Sequence, residues 1–212
     1  MNQHVNVRAL KPAPLFRDRL DDPSLDLIFR QARSHNGWLN KPVSRELLEE
    51  AIDLAKLGPT SANASPFRVL FVESDEAKER LKPLLSPGNV EKTLSAPVVA
   101  ITAHDLAFHH HMPKLFPHNP GVGAYFASNE AVASHTASQS GALQVAYFLL
   151  ALRAVGLDAG PIGGFDKEKV DAEFFAGTTF RSNLIVNIGY GDRTKLFPRS
   201  PRLAFDEIAR FA

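Results

Sequence analysis

The sequence predicts an α+β fold built around a central sheet, and three observations carry that prediction. Helical and strand patterns are mixed along the chain without the regular alternation of a parallel-sheet protein. One stretch, "APVVAITAH" at 96–104, is almost wholly apolar, as an interior strand is. One helical stretch, "SQSGALQVAYFLLALRAV" at 138–155, carries apolar residues around its whole circumference and is expected to be buried on all sides.

The elements follow in order. The first 22 residues mix charges with Pro12 and Pro14 and read as an arm. "PSLDLIFRQAR" places Leu25, Ile28, Phe29 and Ala32 at helical spacing. A second helix opens at Ser44 as N-cap and stops at Gly58, with Leu47, Leu48, Ala51, Ile52, Leu54 and Ala55 on its apolar face. "FRVLFVES" (67–74) reads as a strand, followed by the charged helix "DEAKERLKPLL". After the apolar strand at 96–104, residues 105–135 read as a long irregular segment, the kind that covers a site or binds something. The all-round apolar helix ends at Gly156, "DKEKVDAEFF" forms another short helix, and "SNLIVNIGYGD" a third strand. No strong helix follows 192 until "FDEIARF".

Composition narrows the function. Hydrophobic residues make 44% and charged residues 22% of 212, the balance of one sizeable globular domain. A net charge of +1 gives no electrostatic case for nucleic acid or an anionic membrane. The chain has no cysteine, which removes disulfides, thiolate catalysis and cysteine-ligated metals and suits a reducing, cytoplasmic setting. Five of the eight histidines fall between 104 and 118, yet no HExxH spacing exists and adjacent histidines point apart. They read as a solvated loop, and no metal site is expected.

G-x-S-x-G, P-loop and Rossmann fingerprints are all missing, and the paired carboxylates fall on solvated helix faces. A cofactor would then carry the hard chemical step. Three segments fit one ligand that is flat at one end and anionic at the other. "ARSHNGW" (32–38) offers a cation, a hydroxyl and an amide; "GPTSANASPF" (58–67) offers hydroxyls and an amide between two prolines; "DAGPIGGFD" (158–166) offers backbone N–H groups beside glycines. Lys195 and Arg202 add cations late in the chain.

In this order the segments resemble the FMN-dependent nitroreductase family. Arg33, Ser34, Trp38, Pro42 and Val43 match its R-R-S-x-[RK]-x-[FY]-x-x-x-P-V signature, with Ala32 and Asn36 in place of basic residues. Pro59, Ser61, Asn63 and Pro66 match P-S-S-x-N-x-Q-P-W, with Thr60 and Phe67 conservative and Ser65 replacing Gln. Asp158, Ala159, Pro161, Ile162, Gly164, Phe165 and Asp166 match D-A-x-P-I-E-G-F-D, with Gly163 in place of Glu. The likeness spans about residues 25–208. Within the family, "SHNGW", "LFPH", "GPIGGFD" and "SNLIVNIGYGD" look most like malonic semialdehyde reductases of pyrimidine utilisation.

The resemblance implies a single nitroreductase-like domain over 1–212, its central, mostly antiparallel sheet flanked by helices, in an intertwined homodimer with flavin sites at the subunit interface. The 193–212 tail would pack on the partner, and 105–135 would form a lid. Arg33, Ser34, Lys195 and Arg202 would hold the FMN phosphate, with Asn36 at the position of a basic residue. Ser61 and Asn63 would meet the ring, and the backbone of Pro161, Ile162, Gly163 and Gly164 would lie near N5. No catalytic side chain is implied, because NADH or NADPH reduces the flavin and the substrate then takes the hydride in a ping-pong cycle. The implied substrate is a small aldehyde, malonic semialdehyde reduced to 3-hydroxypropanoate in pyrimidine degradation. A broad nitro- or quinone reductase and a non-catalytic flavin-binding or structural dimer stand as alternatives.

Overall fold

The computed structural model describes residues 19–212, so most of the expected arm lies outside the described residues. The chain divides into two compact units, one ending at Ala32 and one running Arg33–Ala212. In the first, helix α1 (Asp22–Leu25) is capped by Asp21, whose side chain accepts from Ser24 N at 3.0 Å. It continues into a π-helical turn over Asp26–Arg30, and Arg30 pairs with Asp22 and Asp26 at 2.8 and 3.3 Å.

The second unit runs α2 (Arg45–Ala55), β1 (Phe67–Val72), α3 (Asp75–Leu81), α4 (Val90–Leu94), β2 (Val98–Asp105), α5 (Met112–Leu115), α6 (Gly121–Ser128), α7 (Glu130–Ala154), β3 (Asp158–Ile162), α8 (Lys167–Phe174), β4 (Phe180–Gly189) and α9 (Phe205–Ile208). The strands form one antiparallel sheet in the order β1-β2-β4-β3. Period-2 alternation along β2 and β4 builds two cores at once. Val98, Ala100, Val186 and Ile188 face Leu48, Ala51 and Ala55 of α2 and Phe148, Ala151 and Leu152 of α7. Val99, Ile101, Ala103 and Ile185 face the opposite way, toward Leu81 and Val170 of α3 and α8. The apolar strand at 96–104 is therefore interior, covered on both faces.

Register between β2 and β4 shifts once: Ile101 pairs with Ile185, but Ala103 pairs with Ser182. Two β4 residues, Asn183 and Leu184, oppose Thr102, which makes a β-bulge. The buried Thr102 hydroxyl fills the broken ladder, donating to Leu184 O at 2.8 Å and accepting from Leu184 N at 3.1 Å.

Five expectations change. Residues 105–135 are mostly helical: a 3₁₀ turn at Phe108–His111, α5, α6 and the start of α7. Phe108, Met112, Phe126, Ala133 and Ala137 close a third core there, against Ala64. The helix expected at 138–155 begins at Glu130. Its first turns, "EAVASHTA", are mostly small or polar and carry no apolar period, though Ala favours helix more than any other residue. Nor is this helix buried all round within one protomer, because Val132, Leu143 and Tyr147 stay exposed. Finally, 158–162 is a fourth strand, and Pro161 is accommodated because β3 lies at the sheet edge.

The second helix also ends earlier than expected, at Ala55. No described helix is long and apolar enough to cross a membrane.

Asp105, at the end of β2, ties β1 and β4 together. Its carboxylate takes Arg68 Nη2 at 2.7 Å, Thr179 Oγ1 at 2.6 Å and Ala107 N at 2.9 Å. Burial alone would raise its pKa, but these donors and the Arg68 charge hold it below the ordinary carboxylate value. The stability this provides is complete above the unfolded pKa of about 3.9 and is lost as pH falls through the lower folded value. Asp105→Asn leaves Arg68 half-buried without its counter-charge and is expected to cost about 3 kcal/mol at pH 7. Urea titrations check this: the gap between wild type and variant should hold steady from pH 7 to 5 and close below about pH 4.

Candidate functional site

The structure gathers the predicted site residues at two places, on opposite edges of the sheet. The first is built on β3. Ser34 runs parallel to Ala159 as a bridge outside this edge strand, and His35 N donates to Ala159 O at 3.1 Å. The approach is close: a Cβ on Gly160 would stand 2.3 Å from His35 O. One on Gly191 would stand 2.0 Å from His35 Nδ1. His35 is buried, with Nε2 at 3.3 Å from Asp158 Oδ1, and Gly191 N donates to Asp158 Oδ2 at 2.9 Å. Burial pushes the Asp158 pKa up, but the hydrogen bonds from His35 and Gly191 and the charges of His35 and Arg193 carry it below the ordinary value.

This latch sets out the neighbouring groups. Arg33 Nη2 donates to Phe197 O at 2.6 Å, so one cation of the segment lies beside the C-terminal tail. Asp192 N donates to Gly37 O at 2.9 Å, and the Lys195 side chain packs on Gly37, where an added Cβ would come within 2.7 Å of Cγ. Asn36, half-buried, lies between these contacts. Past the end of β3, Ile162 is buried and Gly163 is open; a Cβ there would meet nothing closer than Leu184 Cδ2 at 3.8 Å. The carbonyl of Gly164 is fixed by Asn89 Nδ2 at 2.8 Å and Ser86 N at 3.0 Å.

The second place precedes β1. Ala62, Asn63 and Ser65 all have left-handed φ values, 48, 53 and 44°. Such backbone costs a non-glycine residue roughly 1–2 kcal/mol and persists only where surrounding bonds hold it. Here they do. Ser61 N donates to Ser140 Oγ at 3.3 Å, Ser65 N to Thr60 Oγ1 at 3.1 Å, and Arg68 Nη1 to Ser65 O at 3.1 Å. Asn63 Nδ2 donates to Leu115 O at 2.8 Å, which leaves its carbonyl and one N–H to face a ligand. Between β1 and β3 lie three strand spacings, about 14 Å, and Ser34 is one step further out. One protomer therefore does not bring Ser61 and Asn63 to Arg33 and Gly163.

Arg202 joins neither place, its guanidinium bonding the nearby Ser200 and Pro201 carbonyls at 3.0 Å. Among the described residues no three histidine or carboxylate side chains converge on one point. A groove of about 510 Å³ between Trp38–Pro42 and Ser95–Pro97 contains none of the predicted residues. His35 and Arg193 are the residues sequence reading missed. His35 stood inside a quoted segment, but only Asp158 folding back beside it reveals its part.

Residues 29–190, most of the chain, match the nitroreductase family. The chain belongs to this family. It is 59% identical over 191 residues, 90% of its own length and 97% of the other's, to a Burkholderia lata protein named "Putative NADH dehydrogenase/NAD(P)H nitroreductase". A Streptococcus pneumoniae nitroreductase family structure is similar at 27% identity and a TM-score of 0.77, covering 89% of this chain and 99% of that one. An Exiguobacterium sibiricum structure, a "putative nitroreductase in complex with FMN", is similar in fold at 20% identity and a TM-score of 0.79, covering 92% of this chain and 99% of that one. The four-stranded antiparallel sheet flanked by helices is the nitroreductase fold that the motifs led us to expect.

Two glycines of this nitroreductase separate constraint from opening. Gly160→Ala sets a Cβ against fixed backbone and should cost about 1–3 kcal/mol. Gly163→Ala enters open space and should stay within about 0.5 kcal/mol of wild type. Equal melting shifts for the two would refute the close approach of residues 34–35 to β3.

Proposed function

We propose that this chain is an FMN-dependent, NAD(P)H-using oxidoreductase that reduces a small aldehyde, malonic semialdehyde to 3-hydroxypropanoate, in the cytoplasm. Membership of the nitroreductase family carries the coarse part: an oxidoreductase with FMN as cofactor and a nicotinamide dinucleotide as reductant. When bound, the flavin supplies hydride transfer between nicotinamide and substrate, which is why the chain needs no nucleophile or acid–base pair of its own.

The observation that carries the reading is the corner built on β3, which fits FMN. Arg33, Ser34 and Lys195 stand on one short segment and the loop packed against it, suited to a phosphate. Gly163 leaves the backbone open where a flat ring must approach. Asn63 keeps an acceptor and a donor for the edge of a ring. Because Asn63 and Arg33 stand on opposite edges of the sheet, we assign them to one site only across two copies, Asn63 of one completing the corner of the other. Exposed apolar surface supports a homodimer of this kind: Leu143 (47% exposed) and Tyr147 on α7, and Phe197 (72% exposed), Leu203, Phe205 and Ile208 in the tail. Arg202, now bonded only within its own tail, would join a phosphate when that tail packs against the partner.

The aldehyde is argued from the likeness of "SHNGW", "LFPH" and "GPIGGFD" to malonic semialdehyde reductases. A broad nitro- or quinone reductase is the second reading, favoured by the nitroreductase name of the Burkholderia lata relative.

The test starts from the purified holoprotein. It should be yellow, sediment as a dimer at micromolar concentration, and bleach on mixing with NADH or NADPH. Reoxidation by malonic semialdehyde should outpace that by nitroaromatics; the reverse order would establish the second reading. Asn63→Ala should weaken FMN retention about tenfold without dissociating the dimer, as loss of one charge-free hydrogen-bonding group does. Unchanged flavin content would sever Asn63 from the site.

A further inference from the structure

Beside the strained segment lies a pocket of about 380 Å³ bounded by Ser65, Arg68, His111, Lys114 and Leu115. Its chemistry is one-sided. Three of its five lining residues are basic types and none is acidic. The nearest carboxylate, Asp105, has its oxygens taken by Arg68, Thr179 and Ala107.

Arg68 is held rigidly. Nη1 donates to Ser65 O and Phe67 O at 3.1 and 2.8 Å, and Nη2 to Asp105 at 2.7 Å. Three of its five N–H donors are thus spent on fixing its plane, and two remain. Lys114 and His111 are exposed and carry no hydrogen bond or ion pair to the described residues, so their donors are free. The pocket also touches the proposed ring wall directly. Leu115 lines it while its carbonyl holds Asn63, and Ser65 belongs to both. An oxyanion bound here would lie next to Asn63.

We propose that this pocket is the subsite for the carboxylate of the substrate, with Lys114 supplying the charge and Arg68 and His111 further N–H donors, so that the enzyme takes short oxo acids rather than neutral aldehydes. This rests on the aldehyde-reductase reading and deepens it. A cation facing an otherwise acid-free wall discriminates by charge. The same oxyanion chemistry has a second source, the ribose phosphate of NADPH, which the test separates.

Titration calorimetry of the FMN-loaded dimer with malonate requires no turnover. Wild type should bind malonate; Lys114→Glu should bind at least tenfold more weakly, and Lys114→Arg within about threefold of wild type, since only the sign of charge is at stake. Binding of propanamide, the neutral control, should respond to neither change. In steady state, Lys114→Glu should lower kcat/KM for malonic semialdehyde relative to that for propanal by about tenfold, through KM. Malonate binding that ignores the charge at position 114 would overturn the proposal. So would a rise in the KM for NADPH, but not NADH, with the semialdehyde unaffected, since the pocket would then serve the dinucleotide. Loss of semialdehyde turnover with charge-dependent malonate binding intact would remove the substrate reading and leave the subsite standing.

Discussion

The carboxylate of Asp158 holds together three pieces of chain that are far apart in sequence. It starts β3, it takes the backbone N–H of Gly191 just after β4, and it stands 3.3 Å from the buried imidazole of His35. Beside it, the Ser34–Ala159 and Trp38–Gly191 bridges and the Trp38 indole, which donates to Lys92 O at 2.9 Å, hold residues 33–38 in place. A buried imidazole and a half-buried carboxylate each demand a polar partner, and each supplies the other's. The placement of Arg33, Ser34 and Lys195 beside β3 therefore depends in part on this pair. Its tightness is also why Gly160 and Gly191 must lack a Cβ.

A second device shapes the open side of that corner. The bulge opposite Thr102 inserts one residue into β4, and Leu184 is the residue it re-aims. Thr102 satisfies both backbone groups of Leu184, so the irregularity leaves no unpaired polar atom in the core. Leu184 is in turn what a side chain at Gly163 would meet first. A backbone kink in the middle of the sheet thus sets the clearance above Gly163. Bulges often sit beside functional sites for this reason: they redirect one side chain without disturbing the ladder on either side.

Much of this was legible in the sequence, and the failures have physical causes. β2 announced itself through unbroken apolarity and α2 through its N-cap Ser44, while the caps of α3 and α8, Ser74 and Asp166, are seen only in the structure. Residues 105–135 misled because their helices are short and carry Pro113 and Gly121 in their first turns, so no period emerges. β3 was masked by Gly160 and Pro161, which signal a turn in isolation but suit an edge strand with close backbone contact. Asn63 was legible as a left-handed residue; Ala62 and Ser65 were not, because nothing in their chemistry favours positive φ. Only tertiary bonds force it.

The departures from the family signature fall in a consistent place. Three positions at which this chain keeps the signature are structurally committed: Asp158 is the latch, Ala159 is fully buried, and a Cβ on Gly164 would stand 2.5 Å from Asn89. Where it departs, at Asn36, Ser65 and Gly163, the residue is half-buried or exposed and faces outward from the fold. A glycine at 163, where the signature has Glu, removes both bulk and a negative charge from the opening past β3. Replacing Gln by Ser at 65 shortens the wall beside Arg68 and Lys114. The first change gives more room and less negative charge, whereas the second exchanges one neutral side chain for a shorter one.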